Sequence, residues 1–367
     1  MNRPLLLCLL LLLSLTDTSA QDFRNVDAWL QRNIESLGGR AVLLIHKDGQ
    51  QVYSQSLNDM SRRQQLGQRL MARRQKTAPG TEDFDARTKI PIASCSKWLS
   101  AALVMTFIDE GTLKLSDTIG RWLPVMSRAG RGKITIAQCL SHSTGLNGGK
   151  LRENLEAMRD FRSMDDAVNH LATVPVEGAP GTVFHYGNTG LQLAAAVLEK
   201  ISGRSFTELF DERIARPLNM TETDWGTTRV PLPAGGARSS ASDYAKFLEM
   251  IRRGGTVSTG NSGNRRLLSE QSLRAMRVNR ITEGIRISHT PARDSTIAGY
   301  GFGCWVPPTA TERSPAALAT SPGLFGSFPW VSFEKGYTAV LFVYNLRAKE
   351  RPELYRELRT LVDQAMR

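Results

Sequence analysis

From Ser94 to Gly111 the chain runs through Trp98, Leu99, Ala101, Ala102, Leu103, Val104, Met105, Phe107 and Ile108 with few polar breaks. A segment apolar on nearly every face reads as a buried central helix, and any fold for this chain must be built around it. Gly111 is placed to end it as a C-cap. The helix opens with Ser94-Cys95-Ser96-Lys97. A serine and a lysine three positions apart share one helix face. The helix start also gathers unpaired N–H groups and the positive end of the dipole. A hydroxyl there, beside an amine, can lose its proton and attack a carbonyl. The same spacing recurs at Ser332-Phe333-Glu334-Lys335, but that follows the apolar run Phe328–Phe333 and leads into Gly336, which reads as strand and turn.

The first residues bear on compartment. Arg3 and Pro4 precede a Leu-rich run from Leu5 to Leu15, then Thr18-Ser19-Ala20 before Gln21. The run falls short of the about 20 residues a bilayer span needs. It fits a secretory signal peptide over residues 1–20, cut after Ala20. Cys8 lies inside its apolar core and reads as filler. The expected product is secreted or periplasmic, with no transmembrane segment after cleavage.

The net charge is +12, and part of the excess sits in Arg62, Arg63, Arg69, Arg73, Arg74 and Lys76 among glutamines. A nucleic-acid surface would interleave aromatics for stacking; none lies between Ser54 and Phe84. The stretch reads as a solvated surface loop, with contact to an anionic envelope surface as the sharper alternative and no nucleic acid as partner. Cys95, Cys139 and Cys304 follow the expected cleavage site. Each lies in an apolar segment, so buried free thiols are expected; one disulfide plus one free thiol is the alternative. The five histidines show no His-x-His or His-x-x-x-His spacing, so no metal or cofactor is expected. Nothing resembles a paired-carboxylate glycosidase site, and no Gly-x-Ser-x-Gly elbow is present.

Helical spacing over Asp22–Leu37 precedes two strand-like runs, Arg40–His46 and Gln51–Gln55, around Lys47-Asp48-Gly49-Gln50, a hairpin signal. Residues 95–250 are mostly helical in pattern. They include Ile136–Leu140 behind the N-cap Thr135, Gly190–Ile201 and Ala241–Ile251, punctuated by Pro180-Gly181, Pro217-Leu218 and Gly235-Gly236. Strands return at Gly301–Val306, Phe328–Phe333 and Tyr337–Tyr344, and Pro352–Met366 reads as a terminal helix. With no repeat and no long linker, residues 21–367 read as a single α+β domain. Both chain ends would build an antiparallel sheet flanked by their own helices. A central helical lobe would pack against it, with Ser94 in the seam.

Nearly the whole chain after residue 20 resembles the serine β-lactamase-related family. The resemblance is to its class C branch, which holds class C β-lactamases, D-Ala-D-Ala peptidases and esterases. Gly39–Tyr53 is similar to the family's first hairpin, and Ile92-Ala93-Ser94-Cys95-Ser96-Lys97 to its nucleophile motif. Leu113–Asp117 with Leu123-Pro124, Ile134–Ile136 and Leu140-Ser141-His142-Ser143-Thr144-Gly145-Leu146 match the segments after it. Pro180-Gly181, Phe184, Tyr186, Asn188 and Gly190 match its Tyr-x-Asn motif. Pro217-Leu218-Met220 and Gly235-Gly236-Ser239-Ser240-Ala241-Asp243 resemble later landmarks.

The resemblance implies a β-lactamase/transpeptidase-like fold and catalysis by Ser94 as nucleophile. Lys97 would sit beside it. Tyr186 would be the partner base, its phenol pKa pulled below about 10 by the nearby amine. Asn188 would bind the acyl side of a small-molecule or peptide substrate. The family's third motif is Lys-Thr-Gly or His-x-Gly; here it reads Ser321-Pro322-Gly323-Leu324. Gly323 keeps its spacing, and Leu324 N–H with Ser94 N–H would form the oxyanion hole. Ser321 offers a hydrogen bond but no positive charge. That favours a neutral ester or amide over penicillins or D-Ala-D-Ala peptides, which carry a carboxylate. The implied function is an exported serine hydrolase of esterase or peptidase type. A true β-lactamase or carboxypeptidase and a catalytically degenerate envelope binding protein are the alternatives. His142 reads as structural, and His185 as a residue of the site entrance.

Overall fold

Strand β1 (Arg40–Lys47) shows how the two ends of the chain become one body. The computed structural model describes residues 21–75, 84–149, 156, 160–258, 263–345 and 352–366; the signal peptide expected over residues 1–20 and Lys76 lie outside them. β1 pairs on one side with β2 (Gln50–Asn58) through a tight turn. Asp48 and Gly49 have φ of 50° and 86° there, the positive values that a type I′ hairpin requires. On its other side β1 pairs with a strand nearly three hundred positions later, in register from Ala41↔Val343 to Lys47↔Tyr337.

The later strands are β3 (Gly299–Tyr300), β4 (Trp305–Val306), β5 (Leu318–Thr320), β6 (Phe328–Ser332) and β7 (Tyr337–Val343). The seven-stranded sheet runs β2-β1-β7-β6-β5-β4-β3, each neighbour antiparallel. The single strand expected over Gly301–Val306 is instead a reversal between β3 and β4. Gly301 N–H closes the turn on Cys304 O at 2.9 Å, and Gly303 takes a φ of 79° that few other residues adopt.

Side chains on a strand point alternately to opposite faces, and β1 is buried on both. Ala41, Leu43 and Ile45 pack with Leu341 and Val343 against α1 (Arg24–Asn33) and α6 (Pro352–Ala365). Val42 and Leu44 pack with Val340 and Phe342 against the helical lobe. At the centre of that lobe lies α3 (Ser96–Asp109), buried on every face as its composition requires. Beside it stand α4 (Thr189–Ser202) and α5 (Ala241–Arg252), and Trp98 meets Phe247 edge-on at 5.9 Å. Thr135 and Gln138 form a reciprocal capping box on the short helix Ile136–Leu140.

The basic stretch is not a loop. It forms α2 (Arg62–Gln75). Gln64 N–H donates to Ser61 Oγ at 3.3 Å and Ser61 N–H to Gln64 Oε1 at 2.8 Å. That is a capping box of the Ser-x-x-Gln type, ahead of arginines, leucines and glutamines that favour helix. Cys95, Cys139 and Cys304 are buried and free.

Candidate active site

Ser94 lies in a 3₁₀ turn, Ala93–Cys95, that feeds into α3, one step ahead of the helix proper. Ala93 before it takes a φ of 46°, a left-handed conformation that costs a non-glycine residue about 1–2 kcal/mol. The turn is held from three directions. Tyr244 O–H donates to Cys95 O at 2.8 Å. Ala237 N–H donates to Ser96 Oγ at 3.1 Å, and Ser321 O–H to Ser94 O at 3.1 Å. Strain at a site persists where the surroundings over-determine the backbone in this way.

Lys97, one helical turn on, is 2% exposed. Its Nζ lies 3.1 Å from Ser94 Oγ and donates to Ala234 O at 2.8 Å. Burial disfavours the ammonium and brings its pKa down to about 7. Near neutral pH much of the amine therefore carries a lone pair beside a hydroxyl.

Tyr186 reaches the same point from the turn after Val183–His185. Its N–H is fixed to His289 O at 3.0 Å. Its ring lies beneath Lys97 Nζ, 4.6 Å from nitrogen to ring centre. His142 and Trp305 stand 4.7 and 5.1 Å from it, centre to centre. Enclosure by these groups raises the phenol well above its ordinary pKa, against hydrogen bonds with Ser94 and Trp305 that lower it. The expectation of a lowered phenol pKa is thus reversed: desolvation outweighs the hydrogen bonds that favour the phenolate. Of the two candidate bases, Lys97 is the one whose pKa is brought near neutrality.

A cavity of about 400 Å³ opens over these groups. Ser94, Lys97, Tyr186, Asn188, Gly323 and Leu324 all line it, and so does His185. Ser321 does not. It is 2% exposed, and its hydroxyl donates to Ser94 O and, at 3.3 Å, to Gly303 O. Its expected place as a substrate-binding residue is therefore corrected: it braces the Ser94 turn from behind. The third motif approaches so closely that a Cβ on Gly323 would fall 2.5 Å from Ile92 O and 3.2 Å from Cys95 Sγ. Gly323 N–H is spent on Ser327 O at 2.8 Å, while Ser94 and Leu324 both line the cavity.

His142 has no place in the lining. It is buried behind Tyr186, its Nε2 3.1 Å from Tyr300 O–H, and burial holds it well below the usual histidine pKa. His185 Nδ1 lies 3.0 Å from both Glu177 Oε2 and Ser288 Oγ. Sequence reasoning missed these two partners, and it missed Arg293, an exposed residue of the wall. None sits in a motif; they arrive from segments whose placement only the fold decides. Among the described residues no group of three or more His, Cys, Asp or Glu is arranged to hold a metal. The second Ser-x-x-Lys is structural: Lys335 N–H donates to Ser332 Oγ at 3.3 Å and its Nζ to Asp363 O at 2.8 Å.

A family model described as Beta-lactamase matches residues 30–362. Protein Rv1367c of Mycobacterium tuberculosis is 26% identical over 309 residues, covering 68% of this chain and 75% of that one. The D-alanyl-D-alanine-carboxypeptidase/endopeptidase AmpH of Escherichia coli K12 is 29% identical over 182 residues, 46% of either chain. In fold, the chain is similar to an octameric penicillin-binding protein homologue from Pyrococcus abyssi. The TM-score is 0.70 at 19% identity, over 93% of this chain and 77% of that one.

Proposed function

This chain belongs to the β-lactamase family of serine hydrolases, and we propose that it is an exported member acting through an acyl-enzyme at Ser94 on a small ester, amide or peptide. The observation that carries the reading is the 3.1 Å approach of Lys97 Nζ to Ser94 Oγ, with the amine brought to a pKa of about 7 by burial. Neutral Lys97 takes the hydroxyl proton as Oγ bonds to the substrate's acyl carbon. The carbonyl electron pair moves onto oxygen, where Ser94 N–H and Leu324 N–H receive it. As the tetrahedral centre collapses, the leaving group departs with a proton passed from Lys97 through the Tyr186 hydroxyl. Water then repeats the sequence on the ester, returning Ser94 and releasing the acid. Asn188 holds the acyl side by hydrogen bonds.

A neutral substrate suits a third motif that has no cation. One observation favours the second reading, a carboxylate-bearing peptide or β-lactam: Arg293 stands on the cavity wall and brings a positive charge from a different segment. The AmpH likeness points the same way. The degenerate-binding reading is the weakest, because serine, lysine and tyrosine converge. Export rests on the leader-like residues 1–20, and N-terminal sequencing of the extracellular or periplasmic product should read from Gln21.

A fluorophosphonate probe tests the core of the proposal. Intact-mass analysis should show one covalent adduct on the wild type and none on Ser94→Ala with an unchanged melting temperature. Absence of an adduct on folded wild type would sink it. A fluorescent penicillin then separates the substrate readings: a stable or turning-over adduct selects the carboxylate-bearing class.

A further inference from the structure

The helix α2 has a face that the site does not use. Its sequence holds Arg62, Arg63, Arg69, Arg73 and Arg74 and no acidic residue. At 3.6 residues per turn Arg62, Leu66, Arg69, Leu70 and Arg73 fall on one side, with Arg63 flanking Leu70. All of these are exposed, Leu66 at 59% and Leu70 at 52%. The opposite side is anchored: Gln64 Nε2 donates to Glu35 O at 3.2 Å, and Gln64 and Met60 crowd Gly39. The arginine–leucine face therefore points outward by construction.

We infer that α2 is an interfacial helix that docks this protein on an anionic phospholipid bilayer, with Leu66 and Leu70 entering the headgroup–acyl boundary and the arginines meeting phosphates. Charge complementarity selects the partner: a cationic face with no acid on its helix requires an anionic surface. The two leucines select a bilayer over a nucleic acid, which would call for stacking rings on the helix; it has none. The cavity lip lies along the same run of contacts. Leu324, 54% exposed, precedes Phe325, whose carbonyl accepts Asn345 N–H at 3.0 Å. Asn345 packs on Gly38, next to the Gly39 that α2 covers. Only the location of the bilayer, outside the cytoplasm, rests on the export proposed above.

The test uses the chain from Gln21 onward, so the Leu-rich leader contributes nothing, and sedimentation with phosphatidylglycerol/phosphatidylcholine vesicles. The wild type should pellet with these and stay in solution with phosphatidylcholine alone. Arg62→Gln/Arg69→Gln/Arg73→Gln should lower the partition constant roughly 100-fold. Leu66→Ser/Leu70→Ser should lower it at least about tenfold at unchanged charge. Fluorophosphonate labelling at the wild-type rate certifies that each variant is folded. The inference is overturned by equal binding to neutral vesicles. It is equally overturned if the leucine variant binds like wild type, if the wild type is captured by heparin or duplex DNA but not by vesicles, or if the face instead mediates a dimer that the leucine variant dissolves.

Discussion

Lys97 Nζ stands over the face of the Tyr186 ring, 4.6 Å from its centre. An ammonium in that place is attracted by the ring quadrupole, yet the burial that brings the two together favours the neutral amine. Under the proposed mechanism the pair divides the proton work. The lysine titrates near neutrality, and the tyrosine remains a hydroxyl.

Activity should therefore follow Lys97. The rate of acylation by an ester substrate should rise from acid pH to a plateau, with a midpoint near the Lys97 pKa of about 7. Lys97→Ala should lower it by about 10³-fold. Stability carries the same signature. The folded pKa lies below the ordinary 10.5, so between about 7 and 10.5 the unfolded chain binds a proton that the folded chain lacks, and stability rises with pH across that window. Below it the folded state bears the full cost of a buried cation. Lys97→Met should accordingly raise the unfolding free energy most at pH 6, by an amount on the order of a few kcal/mol, and least near pH 10. Calorimetry at several pH values measures it; a constant difference would contradict the burial account.

Tyr186→Phe keeps the ring under the amine and removes the hydroxyl. Turnover should drop about 10²-fold, with the midpoint of the pH profile unmoved, because Lys97 is still buried. Ultraviolet titration at the tyrosinate band should find no ionisation assignable to Tyr186 below pH 10, as the wild-type minus Phe difference. A tyrosinate appearing near neutrality would restore the phenol as base.

Gly323→Ala should cost about 1–3 kcal/mol and abolish labelling, since the added methyl meets Ile92 O at 2.5 Å and displaces the nucleophile turn. Ser321→Ala should leave a milder mark. Ser94 O loses its 3.1 Å donor, about 1 kcal/mol by the usual value of such a bond, with slower labelling and the same substrate preference. A change of preference in Ser321→Ala would place that side chain back in the substrate's path.

Arg293→Gln should separate substrates by charge. If carboxylates are bound there, KM for carboxylate-bearing peptides or penicillins should rise about tenfold or more, while neutral esters hydrolyse as before. Equal effects on both classes would make Arg293 a structural residue of the wall.

Much of the architecture was legible because its signals are local or periodic. The apolar helix announced its own burial, Asp48-Gly49 its hairpin, and Thr135 its cap. Two features depart from their sequence pattern for opposite reasons. Charge makes the basic stretch read as a loop, although Ser61 and Gln64 spell a helix start. The strand expected at Gly301–Val306 followed hydrophobicity and passed over two glycines that permit a reversal. In the site, residue types with a fixed spacing, such as Ser94 and Lys97, could be paired in advance. The phenol pKa of Tyr186 could not, because it depends on which rings surround it. Nor could Ser321, whose motif position implied a substrate contact that its hydroxyl gives to a backbone carbonyl instead. His185's partners Glu177 and Ser288 are brought in by a short parallel pairing, Val183–His185 with Arg286–His289, that no local pattern encodes.

The pairing of β1 with β7 has a bearing on biogenesis. A ribosome delivers Arg40–Lys47 early and Tyr337–Val343 near the end, so the first hairpin waits with one hydrogen-bonding edge open while the intervening chain is made. Closure across so long a loop is slow, and an unpaired edge invites association with other chains. Maturation should thus finish only after Tyr337–Val343 is made, and deletion of that strand should abolish it even though Ser94, Lys97 and Tyr186 would all remain.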